Sequence, residues 1–365
     1  MGDLPDLRTP EISVVICSRG KLDLLKQCLA SIGRTCLHRA VELIIVEHVT
    51  TEIRDFIDKD SRCQEWVYIH ADEGESFSSL NNLGAAKARA PYLLILNNDV
   101  ILKKGCVDRM LQVLEEKPEV GIVGAKLLFP ERTIQHMGVV FDAFGVPRHL
   151  GWAKPDGPEY EPSQRSDYFD AVTFACALVR RSLWEQLGGL STDYFFNYED
   201  VDFCLRAREA GQRCYVPHDA VATHLEGQSM EHRQSERHSV AANLKVLRDK
   251  WIFNGRMEKA LGQTVQRDFG PLHSERPNIA FFPAGRGAGI GWWRIDLPAA
   301  KLGKLRLANV QSFHADYPEE RLKSQMERCD LAVWQGFYNE PVKRMAAMGR
   351  ERGFPMIYEY DDHPI

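Results

Sequence analysis

The sequence contains no C-x-x-C pair, no apolar run of membrane-spanning length and no basic stripe interleaved with aromatics. Nine cysteines stand singly at positions 17, 28, 36, 63, 106, 176, 204, 214 and 329, an odd and unpaired set that reads as reduced cytosolic thiols rather than a disulfide framework. The opening ten residues lack both a charged n-region and an apolar h-region, so they do not form a signal peptide. The most apolar stretches, 41–46 and 92–96, are strand-sized, whereas a membrane helix needs about 20 residues. The expectation is a soluble, cytoplasmic protein, with peripheral association at the inner face of the cell membrane left open. Net charge is −5 with both signs mixed along the chain, so nucleic acid is not an expected partner.

What is present is enough for about two domains: 365 residues, 44% of them hydrophobic. Short β-branched runs alternate with amphipathic helical patterns. Residues 12–16 and 41–46 read as buried strands, each followed by a helical pattern, and 66–69 and 92–96 continue the series. Helices are expected over 78–88 and 106–116. Strands follow at 121–125, 170–179 and 213–217, with 221–224 a short apolar segment in a loop and helices at 182–187 and 200–210. Residues 130–162, rich in Gly, Pro and aromatics, read as loops and short strands closing over a site. Alternation of this kind predicts an α/β fold, a mostly parallel Rossmann-like sheet with helices on both faces and ligands at the carboxyl ends of the strands.

Three features carry chemistry. Asn197-Tyr198-Glu199-Asp200-Val201-Asp202 concentrates acid at a helix start, where capping by Asn197 and the helix dipole would also account for it. Asn97-Asn98-Asp99 ends the fourth strand. Its carboxylate is placed to hold Mg²⁺ or Mn²⁺, although an Asn/Asp turn explains the same residues. His224 ends a short apolar segment and offers a nitrogen ligand, or else is a satisfied structural histidine.

Taken in order, these pieces resemble the family 2 glycosyltransferases of the GT-A fold, in particular the rhamnosyltransferase-like members that build bacterial surface polysaccharides such as O-antigen. The resemblance runs from about Ile12 to Ser229. It rests on Ser13-Val14-Val15-Ile16, Asn97-Asn98-Asp99 in place of an Asp-x-Asp, Gly188-Gly189-Leu190, Tyr198-Glu199-Asp200-Val201-Asp202, and Pro217 with His224. It implies inverting transfer of a sugar from a nucleotide-diphosphate donor to a hydroxyl of a glycan or lipid-linked glycan acceptor. By the same carry-over, Asp99 and His224 bind Mn²⁺ or Mg²⁺, which stabilises the departing diphosphate. Asp200 is the general base and Glu199 helps to place the acceptor. Arg19, Glu47, Asp72, Asn82 and Asn98 line the donor pocket, with Glu47 standing where the family usually has an aspartate. The alternative is a non-catalytic glycan- or nucleotide-binding module of a larger multidomain protein.

Two motifs narrow the class. Processive synthases carry Gln-x-x-Arg-Trp, and Gln234-Ser235-Glu236-Arg237-His238 lacks the tryptophan, which points to a non-processive enzyme. A nucleotidyltransferase would need a glycine-rich basic phosphate loop after the first strand, and Cys17-Ser18-Arg19-Gly20-Lys21 is too short to form one. The expected organisation is a GT-A domain over 11–235, a helical segment and linker over 236–276, and a second α/β unit over 277–365. That last unit resembles the start of a GT-B-type N-terminal lobe, through the glycines of 285–291 before Trp292-Trp293-Arg294 and the strand end Tyr358-Glu359-Tyr360-Asp361-Asp362. Those glycines do not fit G-x-G-x-x-G. A partial lobe of this kind carries the expectation that the natural protein is longer.

Overall fold

In this computed structural model the residues described are 10–36, 38–47, 52–59, 66–72, 75–141, 146–225, 240, 242–252, 256, 260, 277–282, 297–304, 307–312, 329–335, 347, 349–351, 353 and 355–359. The Gln234–His238 motif, the glycines of 285–291, Trp292-Trp293-Arg294 and Tyr360-Asp361-Asp362 lie outside them. The chain divides into two compact units, Met1–Val139 with His149–Gly270, and Val140–Arg148 with Pro271–Ile365.

The first unit begins as the sequence pattern predicts. Strands β1 (Ile12–Ser18), β2 (Val41–Glu47), β3 (Val67–His70) and β4 (Tyr92–Asn97) alternate with α1 (Leu22–Thr35), α2 (Glu52–Lys59) and α3 (Phe77–Ala85). They pair in parallel in the order β3-β2-β1-β4. Near-continuous Val, Ile and Leu in β1, β2 and β4 is the signature of strands covered on both faces, and Ile12, Ile16, Ile44, Ile45 and Leu94 are fully buried. Each such side chain contributes about 1.5–3 kcal/mol. α1 turns Leu25, Cys28, Ser31 and Ile32 inward.

Beyond β4 come β5 (Val100–Leu102), α4 (Cys106–Glu116), β6 (Val120–Gly124), β7 (Lys126–Leu128) and β8 (Ile134–His136), then the ribbon of β9 (Val139–Phe141) and β10 (Pro147–His149). Next are β11 (Asp167–Phe169), β12 (Cys176–Arg180), α5 (Arg181–Leu187), α6 (Glu199–Glu209), β13 (Arg213–Val216) and β14 (Val221–His224). The main sheet has eight strands in the order β11-β13-β6-β12-β4-β1-β2-β3. The expected strand within 170–179 starts only at Cys176, and it runs antiparallel to both β4 and β6. The cause is the connection: among the described residues no crossover α-helix lies between β6 and β12, so the chain returns into the sheet at the end where β6 leaves it and runs back. A smaller sheet, β5-β14-β7-β8, sits beside the main one and brings β14 back to the residues that follow β4.

In the second unit β15 (Asn278–Phe282), β16 (Asn309–Ser312), β17 (Leu331–Gln335) and β18 (Met356–Glu359) form a parallel sheet in the order β16-β15-β17-β18, with α7 (Leu297–Lys304) between β15 and β16. Phe281 and Ala299 form its buried contact between sheet and helix.

Candidate active site

Parallel register gathers the expected donor-side residues on one edge. Ser18 lies opposite Glu47, Glu47 opposite His70, and Cys17 opposite Asn97, so β1, β2, β3 and β4 end in one row. Glu47 is fully buried and its Oε1 accepts the Gly20 N–H at 3.1 Å. Asn98 donates to Ser18 Oγ at 2.9 Å, and Ser18 donates to the Gly20 carbonyl at 2.8 Å. Glu47 and Asn98 therefore shape the β1–α1 loop from both sides. Arg19 and Asp72 are exposed on the same edge, and Arg19 donates to the Glu75 carbonyl at 3.2 Å. Asn82 is placed elsewhere. Its amide donates to the Leu190 carbonyl and accepts the Leu190 N–H, both at 2.9 Å, so its polar atoms hold the turn at Gly188-Gly189. Gly189 has φ +77°, and a Cβ there would stand 2.3 Å from Asn82 Oδ1.

Asp99 and His224 meet because β5 and β14 pair antiparallel with His224 opposite Val100, while the Leu225 N–H bonds the Asp99 carbonyl at 3.0 Å. His224 Nε2 lies 3.1 Å from Asp99 Oδ1, with 12% and 9% of the two side chains exposed. On the other side of the ring, Nδ1 is 2.7 Å from Gln135 Oε1. A carbonyl oxygen only accepts, so Nδ1 carries a proton, and in the neutral ring Nε2 would turn a lone pair toward the carboxylate. That arrangement is repulsive unless a cation or proton stands between them. One oxygen and one nitrogen donor, buried at a strand end, suit Mn²⁺ or Mg²⁺. Among the described residues no group of three or more His, Cys, Asp or Glu forms a cage, and such ions commonly complete their shell from substrate phosphates.

The acidic motif divides into two pairs of roles. Helix α6 starts after Asn197 and Tyr198, both left-handed at φ 73° and 71°, and Tyr198 occupies the cap position without a side-chain cap bond. Capping by Asn197 is therefore not what organises the cluster. Asp202 is fully buried and structural: it accepts from Arg206 Nε at 2.7 Å and Trp251 Nε1 at 2.8 Å, with Lys250 Nζ at 3.0 Å. Arg206 also donates to the Leu187 and Gly189 carbonyls at 2.7 and 2.8 Å, gripping the same turn that Asn82 holds.

Glu199 and Asp200 form the other half of the motif. Asp200 Oδ2 accepts the Phe174 N–H at 3.2 Å and Oδ1 the Val201 N–H at 2.8 Å, and the Thr173 side chain also hydrogen-bonds it. Ala175, next in the chain, accepts the Asn97 N–H through its carbonyl at 2.9 Å, which ties Asp200 to the strand end that carries Asp99. Glu199 is buried at 5% exposure, and its Oε2 has no hydrogen-bond partner among the described residues. Burial, and then the neighbouring Asp200, push its carboxyl up to about 8. Burial also raises Asp200, against the pull of its Val201, Phe174 and Thr173 hydrogen bonds. Both carboxyls are thus raised, and Asp200, with its donors in place, is the better-supported anion of the pair.

Sequence reasoning did not single out Gln135, His136, Thr173 or the Phe174 N–H. The first two lie in a stretch without period, and their partners are distant in sequence.

A strand end thus presents a buried Asp–His pair and the start of α6 a buried Glu–Asp pair, on a mixed sheet. Residues 10–240 match the family described as "Glycosyltransferase like family 2", and the chain belongs to that family. It is 31% identical over 214 residues to the O-antigen biosynthesis protein RfbC of Myxococcus xanthus, a match covering 56% of this chain and 16% of that protein. It is 25% identical over 224 residues to the rhamnosyltransferase WbbL of Escherichia coli K12, covering 56% and 80%. The fold is also similar to that of GalNAc-T7 solved with UDP, GalNAc and Mn²⁺, at a TM-score of 0.50 and 12% identity, covering 61% of this chain and 45% of that one. The chain thus spans only a small part of the length of RfbC.

Proposed function

We propose that this domain transfers a sugar, with inversion, from a nucleotide-diphosphate donor to a glycan or lipid-linked glycan acceptor during assembly of a bacterial surface polysaccharide. The observation that carries the reading is the convergence of the Asp99–His224 pair and the Glu199–Asp200 pair on the carboxyl end of β4 through Ala175 and Phe174. Relatives named for O-antigen biosynthesis and rhamnosyl transfer support the polysaccharide setting.

Asp99 and His224 would hold Mn²⁺ or Mg²⁺, which when bound neutralises charge on the diphosphate as a Lewis acid. Glu47 and Asn98 hold the loop that carries Arg19, and with Asp72 they form the nucleotide side. Asp200 accepts the proton of the acceptor hydroxyl as its oxygen attacks the anomeric carbon from the face opposite the diphosphate. Its hydrogen bonds from Val201, Phe174 and Thr173 preorganise the carboxylate for that task. Glu199, keeping its own proton, leaves the negative charge on Asp200 and offers a hydrogen bond to the acceptor. Asn82 enters this scheme only through the turn it supports. We read the second unit as similar to a GT-B-type N-terminal lobe, a reading supported by the four parallel strands among its described residues.

Calorimetric titration with UDP, dTDP and GDP, each in Mn²⁺ and again in EDTA, tests the donor side. Metal-dependent binding of one nucleotide is expected. Absence of binding by all three in the folded protein would sink the reading. Asp200→Asn is expected to abolish transfer while nucleotide affinity is kept.

A further inference from the structure

We infer that His136 is a positioning residue for Asp200, acting through the Thr173–Phe174 peptide; the inference rests on the base role proposed for Asp200. His136 ends β8 and is fully buried. Its Nε2 accepts the Thr173 N–H at 3.4 Å, and its Nδ1 lies 2.8 Å from Nδ1 of His149. The two rings meet edge to face, with centroids 4.9 Å apart. The next N–H along the chain, that of Phe174, donates to Asp200 Oδ2 at 3.2 Å. The Thr173 hydroxyl, which receives the Ala175 N–H at 3.4 Å, also hydrogen-bonds Asp200. Consecutive amides of one short segment are thus divided between the histidine and the carboxylate.

The tautomer follows from this geometry. A neutral imidazole that accepts at Nε2 carries its proton on Nδ1, and here that proton points at Nδ1 of His149. Burial first, then His149 and His224, hold the His136 ring well below the ordinary histidine range, which keeps it neutral and keeps Nε2 an acceptor. The preceding residue, Gln135, orients His224 in the same manner through its Oε1 at 2.7 Å. Two consecutive residues of β8 therefore aim both halves of the site: Gln135 the metal side and His136 the base side. Such supporting contacts commonly change activity by about 10–100-fold, because small misplacements of a reacting group are costly.

The test compares His136→Leu, which removes the acceptor, with His136→Gln, whose amide oxygen reaches the place of Nε2. His136→Leu is expected to lower kcat about 10–100-fold, with the melting temperature and metal-dependent nucleotide affinity close to wild type. His136→Gln is expected to restore most of the loss. An undiminished kcat in His136→Leu, or equal losses in both variants with donor affinity falling in parallel, would overturn the assignment. A measurement on the unmodified protein stands apart from any folding defect. Histidine side-chain ¹⁵N spectra, assigned by the signal lost in His136→Gln, should show His136 protonated at Nδ1 and bare at Nε2. A proton on Nε2 refutes the proposal. Asp200→Asn run alongside separates the two readings. If it retains turnover, the base assignment falls and this inference with it; if it is inactive while His136→Leu is active, only the positioning role fails.

Discussion

Glu199 and Asp200 are neighbours in sequence with opposite physical positions. Asp200 accepts from Val201, Phe174 and Thr173, whereas Glu199 is buried with one oxygen unpartnered among the described residues. The Glu199 carboxyl, ordinarily near 4.5, is pushed to about 8, so the folded state binds that proton more tightly than the unfolded state does. Its stabilising contribution is therefore complete below about pH 4.5 and is lost as pH rises through about 8. Glu199→Gln mimics the protonated form and removes that loss. Thermal unfolding should give the variant a higher Tm than wild type at pH 8 and a much smaller difference at pH 5, with about 1 kcal/mol worth about 2–4 °C. An identical difference at both pH values would show that Glu199 is not the proton holder. Asp202 is the contrasting case. Asp202→Ala strands Arg206, Lys250 and the Trp251 N–H and should cost about 3–5 kcal/mol in chemical denaturation.

Among the elements, α6 and the turn before it act as a clamp. Asn82 of α3 and Arg206 of α6 hold Leu187, Gly189 and Leu190 from two sides. Gly189 is left-handed and has no room for a Cβ beside Asn82. Gly189→Ala is expected to destabilise by at least about 1 kcal/mol, read from the denaturant midpoint, and an unchanged midpoint would show that the turn relaxes freely. Strands β1, β2 and β4 were legible as apolar runs, because they are covered on both faces, and α1 and α4 from their helical period. The orientation of β12 was not, since strand direction depends on what connects it rather than on its own residues. Short strands such as β5 and β8 contain too few residues for a period to show, and yet β5 and β14 together place His224 on Asp99.

For the molecule as a whole, every candidate site residue lies in the first unit. A chain ending at Gly270 is expected to keep metal-dependent nucleotide affinity within a few-fold in calorimetry, and loss of binding by a shortened chain that still folds would give the second unit a part in the site. Asp99→Ala should abolish the difference between titrations in Mn²⁺ and in EDTA. A metal-linked affinity that survives the substitution would remove Asp99 from the ligand set.

Residue type and order along the chain determined a great deal here: the alternating α/β pattern, the carboxylate at the end of β4, the acidic start of α6 and the histidine ending β14. Those signals are local, set by apolar period and by which side chains carry charge. Only the tertiary structure decided how the motif's carboxylates divide, with Asp202 locked in a structural network, Asp200 held by Phe174 and Thr173, and Glu199 buried beside it with its carboxyl pushed up. It also assigned Asn82 to a turn and brought Gln135 and His136 to bear on the site. The physical reason is that tautomer, protonation and hydrogen-bond partnership depend on burial and on atoms tens of residues away, which no local pattern encodes.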